Sequence, residues 1–128
     1  MTKKLSETIA EVNYDHLVYS NDKEIITSGV IIASGQGELK RGTALAKNSD
    51  NKMVILGTKV AEQEDQFYEA DCILCDDVDA TSSDVDTVAY ISGHFNKDAL
   101  ILAQDYTLTE KDKDTFRAKG IVLSTIQG

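Results

Sequence analysis

What most constrains the fold of this chain is the shortness of its apolar runs and what separates them. From Tyr14 onward, stretches of a few apolar residues alternate with glycines and polar turns. Leu17-Val18-Tyr19 precedes Ser20-Asn21-Asp22, and Val30-Ile31-Ile32-Ala33 lies between Gly29 and Gly35. Met53-Val54-Ile55-Leu56 runs into Gly57, Ala70 to Cys75 forms a further run, and Thr87 to Ile91 is stopped by Gly93. Ala99 to Ala103 is apolar throughout, and Ile121-Val122-Leu123 closes the series. Many short runs, several of them β-branched and each ended by a turn signal, predict a mainly β fold of barrel or sandwich type. A chain of 128 residues is one domain by length and is long enough to bury a core of its own.

The breaks are as informative as the runs. Gly35-Gln36-Gly37 and Gly42 interrupt one stretch, which reads as a tight hairpin with exposed charges. Lys47 to Asn51 is a polar loop, and Asp76 to Asp86 is an acidic loop containing Ser and Thr. One helix is marked near Thr109 to Lys119. Thr109 is a good N-cap, because its hydroxyl can take a free backbone N–H of the first turn. Glu110 and Asp112 place negative charge at the positive end of the helix dipole, and Gly120 tolerates the left-handed backbone that ends a helix. Its apolar face is thin, Phe116 with Leu108 and Ala118 nearby, so the helix is expected on the surface with one aromatic anchor.

Residues Met1 to about Asn13 are polar apart from Leu5, Ile9 and Val12, which recur at helical spacing. No neighbouring run is available to pack against them, so the segment reads as a flexible N-terminal arm, residues 1–13, ahead of a β-rich domain, residues 14–128.

Charge excludes several partners. Thirteen Lys and Arg against 22 Asp and Glu leave a formal net charge of −9. Binding nucleic acid needs clustered cations to neutralise phosphates, and an anionic membrane surface needs the same. No apolar run approaches the roughly 20 residues of a membrane span, and the N-terminus lacks the apolar core of a secretion signal. Two cysteines make no disulfide framework, so a cytosolic origin is the default.

Four patterns invite a chemical reading. Cys72 and Cys75, three apart, lack both the helix N-terminus of a redox pair and the further ligands of a zinc site. On a strand they point to opposite faces, and both read as small apolar filler. Asp76, Asp77, Asp79, Asp84 and Asp86 offer oxygen ligands to Ca²⁺, but the EF-hand pattern is absent and a solvated loop is favoured. In Lys40-Arg41-Gly42-Thr43 the basic pair precedes the glycine, the wrong order for a phosphate loop. Ser92-Gly93-His94 sets a nucleophile beside a base, but sequence neighbours are not a triad, and His94 reads as a turn residue. Nothing here points to an enzyme.

The residues do resemble one family. Ile32 to Leu45, with Gly35-Gln36-Gly37 and Leu39-Lys40-Arg41-Gly42-Thr43, is similar to a segment of the lambda-type head decoration proteins of tailed phages. So are Cys72-Ile73-Leu74-Cys75-Asp76-Asp77-Val78-Asp79-Ala80, then Val88 to Asn96 with Ala99-Leu100, and the Leu108 to Leu123 ending. In the family's order these cover roughly Tyr14 to Leu123, closest to the versions carried by phages of Gram-positive hosts. Where the family often has Ala, this chain has Cys75.

The resemblance implies a structural virion protein made in the bacterial host cytoplasm and placed on the outer surface of the phage head. It implies a homotrimer that binds the major capsid protein of the expanded capsid at three-fold and quasi-three-fold sites. There it cements the shell against the pressure of packaged DNA. It implies no catalytic residues, no metal and no cofactor, and no nucleic-acid or membrane partner. The N-terminal arm becomes the capsid-binding element, with Lys3, Lys4, Leu5, Ile9 and Val12 as its candidate residues. The alternative is a small acidic β-domain that binds Ca²⁺ or another ligand through the Asp76–Asp86 loop.

Overall fold

The computed structural model describes residues 17–20, 22–60 and 66–125. Nine strands, one turn of 3-10 helix and one α-helix follow in the order β1 (Val18–Ser20), β2 (Ile26–Ile32), β3 (Gly37–Leu39), β4 (Ala44–Lys47), β5 (Met53–Ile55), β6 (Glu69–Leu74), β7 (Val78–Ala80), β8 (Val85–Asn96), the 3-10 turn Lys97–Ala99, α1 (Glu110–Lys119) and β9 (Ile121–Ser124). The fold is mainly β, as the run lengths predict.

Five of the strands close a barrel. β8 pairs with β2, β2 with β5, β5 with β4, β4 with β6, and β6 returns to β8. The weakest seam is β2 to β5, parallel and made through Ile32 and Met53. It is reinforced by the Ala33 N–H donating to the Met53 carbonyl at 2.9 Å and the Ile55 N–H donating to the Gln36 side chain at 2.8 Å.

Strand alternation then divides the apolar residues between two cores. Ile32, Leu45, Met53, Cys72, Leu74 and Ala89 point one way and meet inside the barrel, with Leu39 and Ala80 of the small β3–β7 sheet packed into the same cluster. Ala44, Ala46, Val54, Ala70, Ile73 and Tyr90 point the other way, onto the barrel's outer wall. That wall is covered by Leu17, Leu56, Phe95, Phe116 and Ile121, and by partly buried Leu100, Leu102, Tyr106 and Leu108. The register shift between Leu45 and Ala46, opposite Cys72 and Ala70, keeps both cores supplied along β6.

β8 is the spine. Its first half belongs to the barrel, while Gly93–Asn96 pairs with β9 in parallel and Phe95 and His94 face β1. This differs from the expectation that Gly93 ends the strand. Gly93 sits at φ 147°, and a Cβ there would lie 2.6 Å from the Phe95 ring. The residue lets β8 pass over a buried aromatic, which a turn-forming reading of glycine misses.

Three further local readings change. Gly35 to Gly42 is not a self-contained hairpin, because β3 pairs with β7, some forty residues on. The Asp76–Asp86 stretch contains β7 and the start of β8 and is only in part a loop. Ala99 to Ala103 forms no strand, the 3-10 turn ending at Ala99 and Ile101 making a single bridge to Thr43. The helix is as expected. Thr109 and Asp112 form a reciprocal capping box, Gly120 ends the helix at φ 106°, and Phe116 is fully buried.

Candidate functional site

Two of the segments that carry the resemblance noted above, Ile32 to Leu45 and Cys72 to Ala80, lie against each other. Gly35 and Gln36 donate backbone N–H groups to the Ala80 carbonyl, and the Arg41 N–H donates to the Asp77 carboxylate at 2.8 Å. The Arg41 guanidinium reaches across to the Tyr90 hydroxyl at 2.5 Å and lies over the Tyr90 ring, 5.4 Å from its centroid. Burial raises the Tyr90 hydroxyl pKa, and Arg41 opposes that rise. These contacts hold the barrel's end to the β3–β7 sheet and join two stretches distant in sequence.

The acidic stretch is dispersed. Asp77 is engaged with Arg41 and Lys40, and Asp79 accepts from the Thr81 hydroxyl and N–H, which lowers its pKa. Asp84 meets Lys52 at 2.7 Å and accepts from the Ser34 N–H, and both contacts lower its pKa. Among the described residues no three His, Cys, Asp or Glu side chains gather where they could hold a metal ion.

The cysteines separate as the strand period requires. Cys72 is fully buried inside the barrel, where burial drives its pKa strongly upward, and its thiol lies 3.7 Å from the Met53 sulfur. Cys75 is half-buried against the outer core, and burial followed by the Asp76 charge pushes its pKa up to about 11. Both are free thiols in their protonated, unreactive form at neutral pH.

His94 makes a contact that no sequence motif signals. Its Nδ1 lies 2.8 Å from the Asp22 carboxylate and its Nε2 lies 2.8 Å from the Ser124 hydroxyl. Tyr19 stacks on the ring at 4.4 Å, and the imidazole lowers the Asp22 pKa. Asp22 and His94 are 72 residues apart, so only a correct length for β8 would have brought them together. Acid, imidazole and hydroxyl stand in the order of a nucleophilic triad. Yet Asp22 is 64% exposed, and the groove of about 600 Å³ between Phe67, Tyr106 and α1 contains none of the three. What the contacts do is pin the turn after β1 and the end of β9 to β8. Ser92 adds to this by donating to the Glu24 carbonyl at 2.9 Å.

The remaining feature is apolar and exposed. Ile26 and Ile31 of β2 and Val88 of β8 leave about 40% of their surface open, on a ribbon whose strands pair from Ile26–Ser92 to Ile32–Val85. The sequence shows these residues as strand but not as surface, since an apolar run reads as core. Lys3, Lys4, Leu5, Ile9 and Val12 lie outside the described residues. No described helix is long and apolar enough to cross a membrane.

Comparison with known proteins agrees with this picture. The family model described as bacteriophage lambda head decoration protein D matches residues 7–121, and no curated protein matches the chain.

Proposed function

From the premise that this chain belongs to the bacteriophage lambda head decoration protein D family, and so has its place on the phage head, we propose that it cements the capsid as a trimer and turns over no substrate. In this reading it binds the expanded shell at three-fold and quasi-three-fold sites and holds neighbouring major capsid subunits together against the outward pressure of packaged DNA. The observation that carries the reading is the family match along nearly the whole chain. The contacts of Arg41 with Asp77 and Tyr90, and of His94 with Asp22 and Ser124, are in keeping with it, because they join distant strands. Linking three weak footholds in one trimer raises avidity without any new contact, and a three-fold particle on a three-fold site lets each copy engage alike.

The capsid-binding element in this reading is the segment 1–13, an arm that adds to a capsid sheet edge through main-chain hydrogen bonds. Lys3 and Lys4 steer it from an otherwise acidic body toward acidic capsid surface, and Leu5, Ile9 and Val12 supply its apolar contacts. Co-sedimentation with expanded heads tests this. The full chain is expected to pellet with heads, and a chain lacking Met1 to Val12 is expected to fold, keep its oligomeric mass and stay in the supernatant. Full-strength binding by the truncated chain would refute the role of the arm.

A further inference from the structure

We propose that the open edge and outer face of β2, with Val88 of β8 beside it, is the surface on which a second copy of this chain docks, an inference that rests on the trimer reading above. β2 is seven residues long, Ile-Thr-Ser-Gly-Val-Ile-Ile, with no charge and no proline. On one side it is fully paired with β8. On the other, among the described residues, Ile32 alone has a strand partner, Met53 of β5. The Val88 carbonyl accepts from the Cys75 N–H on the far side of β8, so its partner Gly29 turns its own N–H and carbonyl away from β8. By antiparallel alternation Thr27 and Ile31 do the same, the Ile31 carbonyl facing Met53 in the parallel seam with β5. Among the described residues, the result is a stretch of backbone from Thr27 to Gly29 with no strand partner on its outer side, beside exposed Ile31 and Val88, with a shallow groove of about 300 Å³ along Gly29, Val30, Ile31, Asp86 and Thr87.

Natural sheets blunt such edges with lysine, proline or bulges. The one irregularity of this ladder falls at its first step, between Ile26 and Thr27, and leaves the rest regular. An edge this plain, among the described residues, invites pairing with another chain, and the cover proposed here is in place before the chain meets a head. A second copy provides that, whereas a capsid strand would not.

Charge selects the same occupant. Copies that each carry a net charge of −9 approach one another at low cost only where carboxylates are sparse. Few carboxylates stand around this patch, and Asp86 is the one that lines its groove. Glu24 precedes the strand, Asp84 is neutralised by Lys52 at 2.7 Å, and Asp86 lies across from Ile31 at the patch's end. Phe67 and Ile101 are exposed to a similar degree, but each already bridges a neighbour, Lys59 and Thr43, and neither sits on an open strand edge.

Sedimentation equilibrium on the full chain tests the proposal with Ile31→Lys, Val88→Lys and, as control, Ile101→Lys, each checked for folding by circular dichroism. The unaltered protein and Ile101→Lys are expected to show three-chain mass, and Ile31→Lys and Val88→Lys to fall to single-chain mass while folded. If Val88→Lys does not fold, Thr27→Lys, also exposed, takes its place. Folded β2 variants that keep three-chain mass overturn the proposal and leave the trimer reading standing. If they keep that mass but no longer pellet with heads, the patch faces the capsid, and the proposal is equally overturned. Single-chain mass for the unaltered protein at every concentration defeats the trimer reading itself, before any variant is measured.

Discussion

The inside of the barrel and the core on its outer wall are made by the same strands, yet they are closed in different ways. The inner core holds aliphatic and sulfur side chains and is enclosed by the ladders themselves, with Leu39 and Ala80 at one end. The outer core contains the buried aromatic residues Tyr90, Phe95 and Phe116 and is enclosed by pieces from far along the chain. Those pieces are Leu17, the connection between the 3-10 turn and α1, the helix itself and β9. One core is secured by sheet closure, the other by side chains that reach down from irregular segments. The inner core should therefore open only when the whole domain unfolds, and the outer core can loosen first.

The largest effects come from truncating each core in turn. Phe116→Ala removes the aromatic anchor of α1 and is expected to cost about 3–5 kcal/mol. Leu45→Ala inside the barrel is expected to cost about 2–5 kcal/mol. Denaturant unfolding gives the totals, and hydrogen exchange gives the distinction. In Phe116→Ala the amides of α1 and β9 should lose protection while those of β4, β6 and β8 keep theirs. In Leu45→Ala all should fall together. Equal loosening everywhere in both variants would erase the contrast.

A smaller effect sharpens the outer core alone. Thr109→Ala removes one half of the capping box and is expected to cost about 1 kcal/mol. The loss should appear as faster exchange in the first turn of α1, with the barrel unchanged.

The two thiols report on the two cores chemically. Cys75, at the outer core, should be alkylated well before Cys72, inside the barrel, and both slowly at neutral pH. The Cys75 pKa is raised from 9.0 to about 11 by burial, so the stability it contributes is complete below pH 9.0 and is lost as pH rises toward 11. The exposed carboxylates act with the opposite sign. Asp79 and Asp84 have pKa values lowered below 3.8, so their small contribution is present above that pH and is lost as pH falls through their folded values. Labelling followed by mass spectrometry checks the order of the thiols, and denaturant unfolding across a pH series checks both signs. Faster labelling of Cys72 would contradict the assignment of the two cores.

The same contrast decides what could be read from the sequence. The inner core follows from period-two alternation within short runs, so Met53 to Leu56, Ala70 to Cys75 and the opposite facing of the two cysteines were legible. The helix was legible because its stop and start are chemical, Thr109 and Gly120. The outer core was not, because its lid is an apolar run, Ala99 to Ala103, that looks like a strand and is used as irregular cover. Gly93 hid the length of β8, and with it the meeting of His94 with Asp22 and Ser124. The β3–β7 pairing was hidden because Gly35 to Gly42 has the composition of a local turn and its partner lies far away.

The account's central claim is that the protein grips a phage head and does nothing else to it. The most direct measurement is cryo-electron microscopy of expanded heads incubated with an excess of the purified full chain. The account expects three-copy density over the three-fold and quasi-three-fold positions of the shell. Heads whose positions stay bare at saturating protein would contradict it.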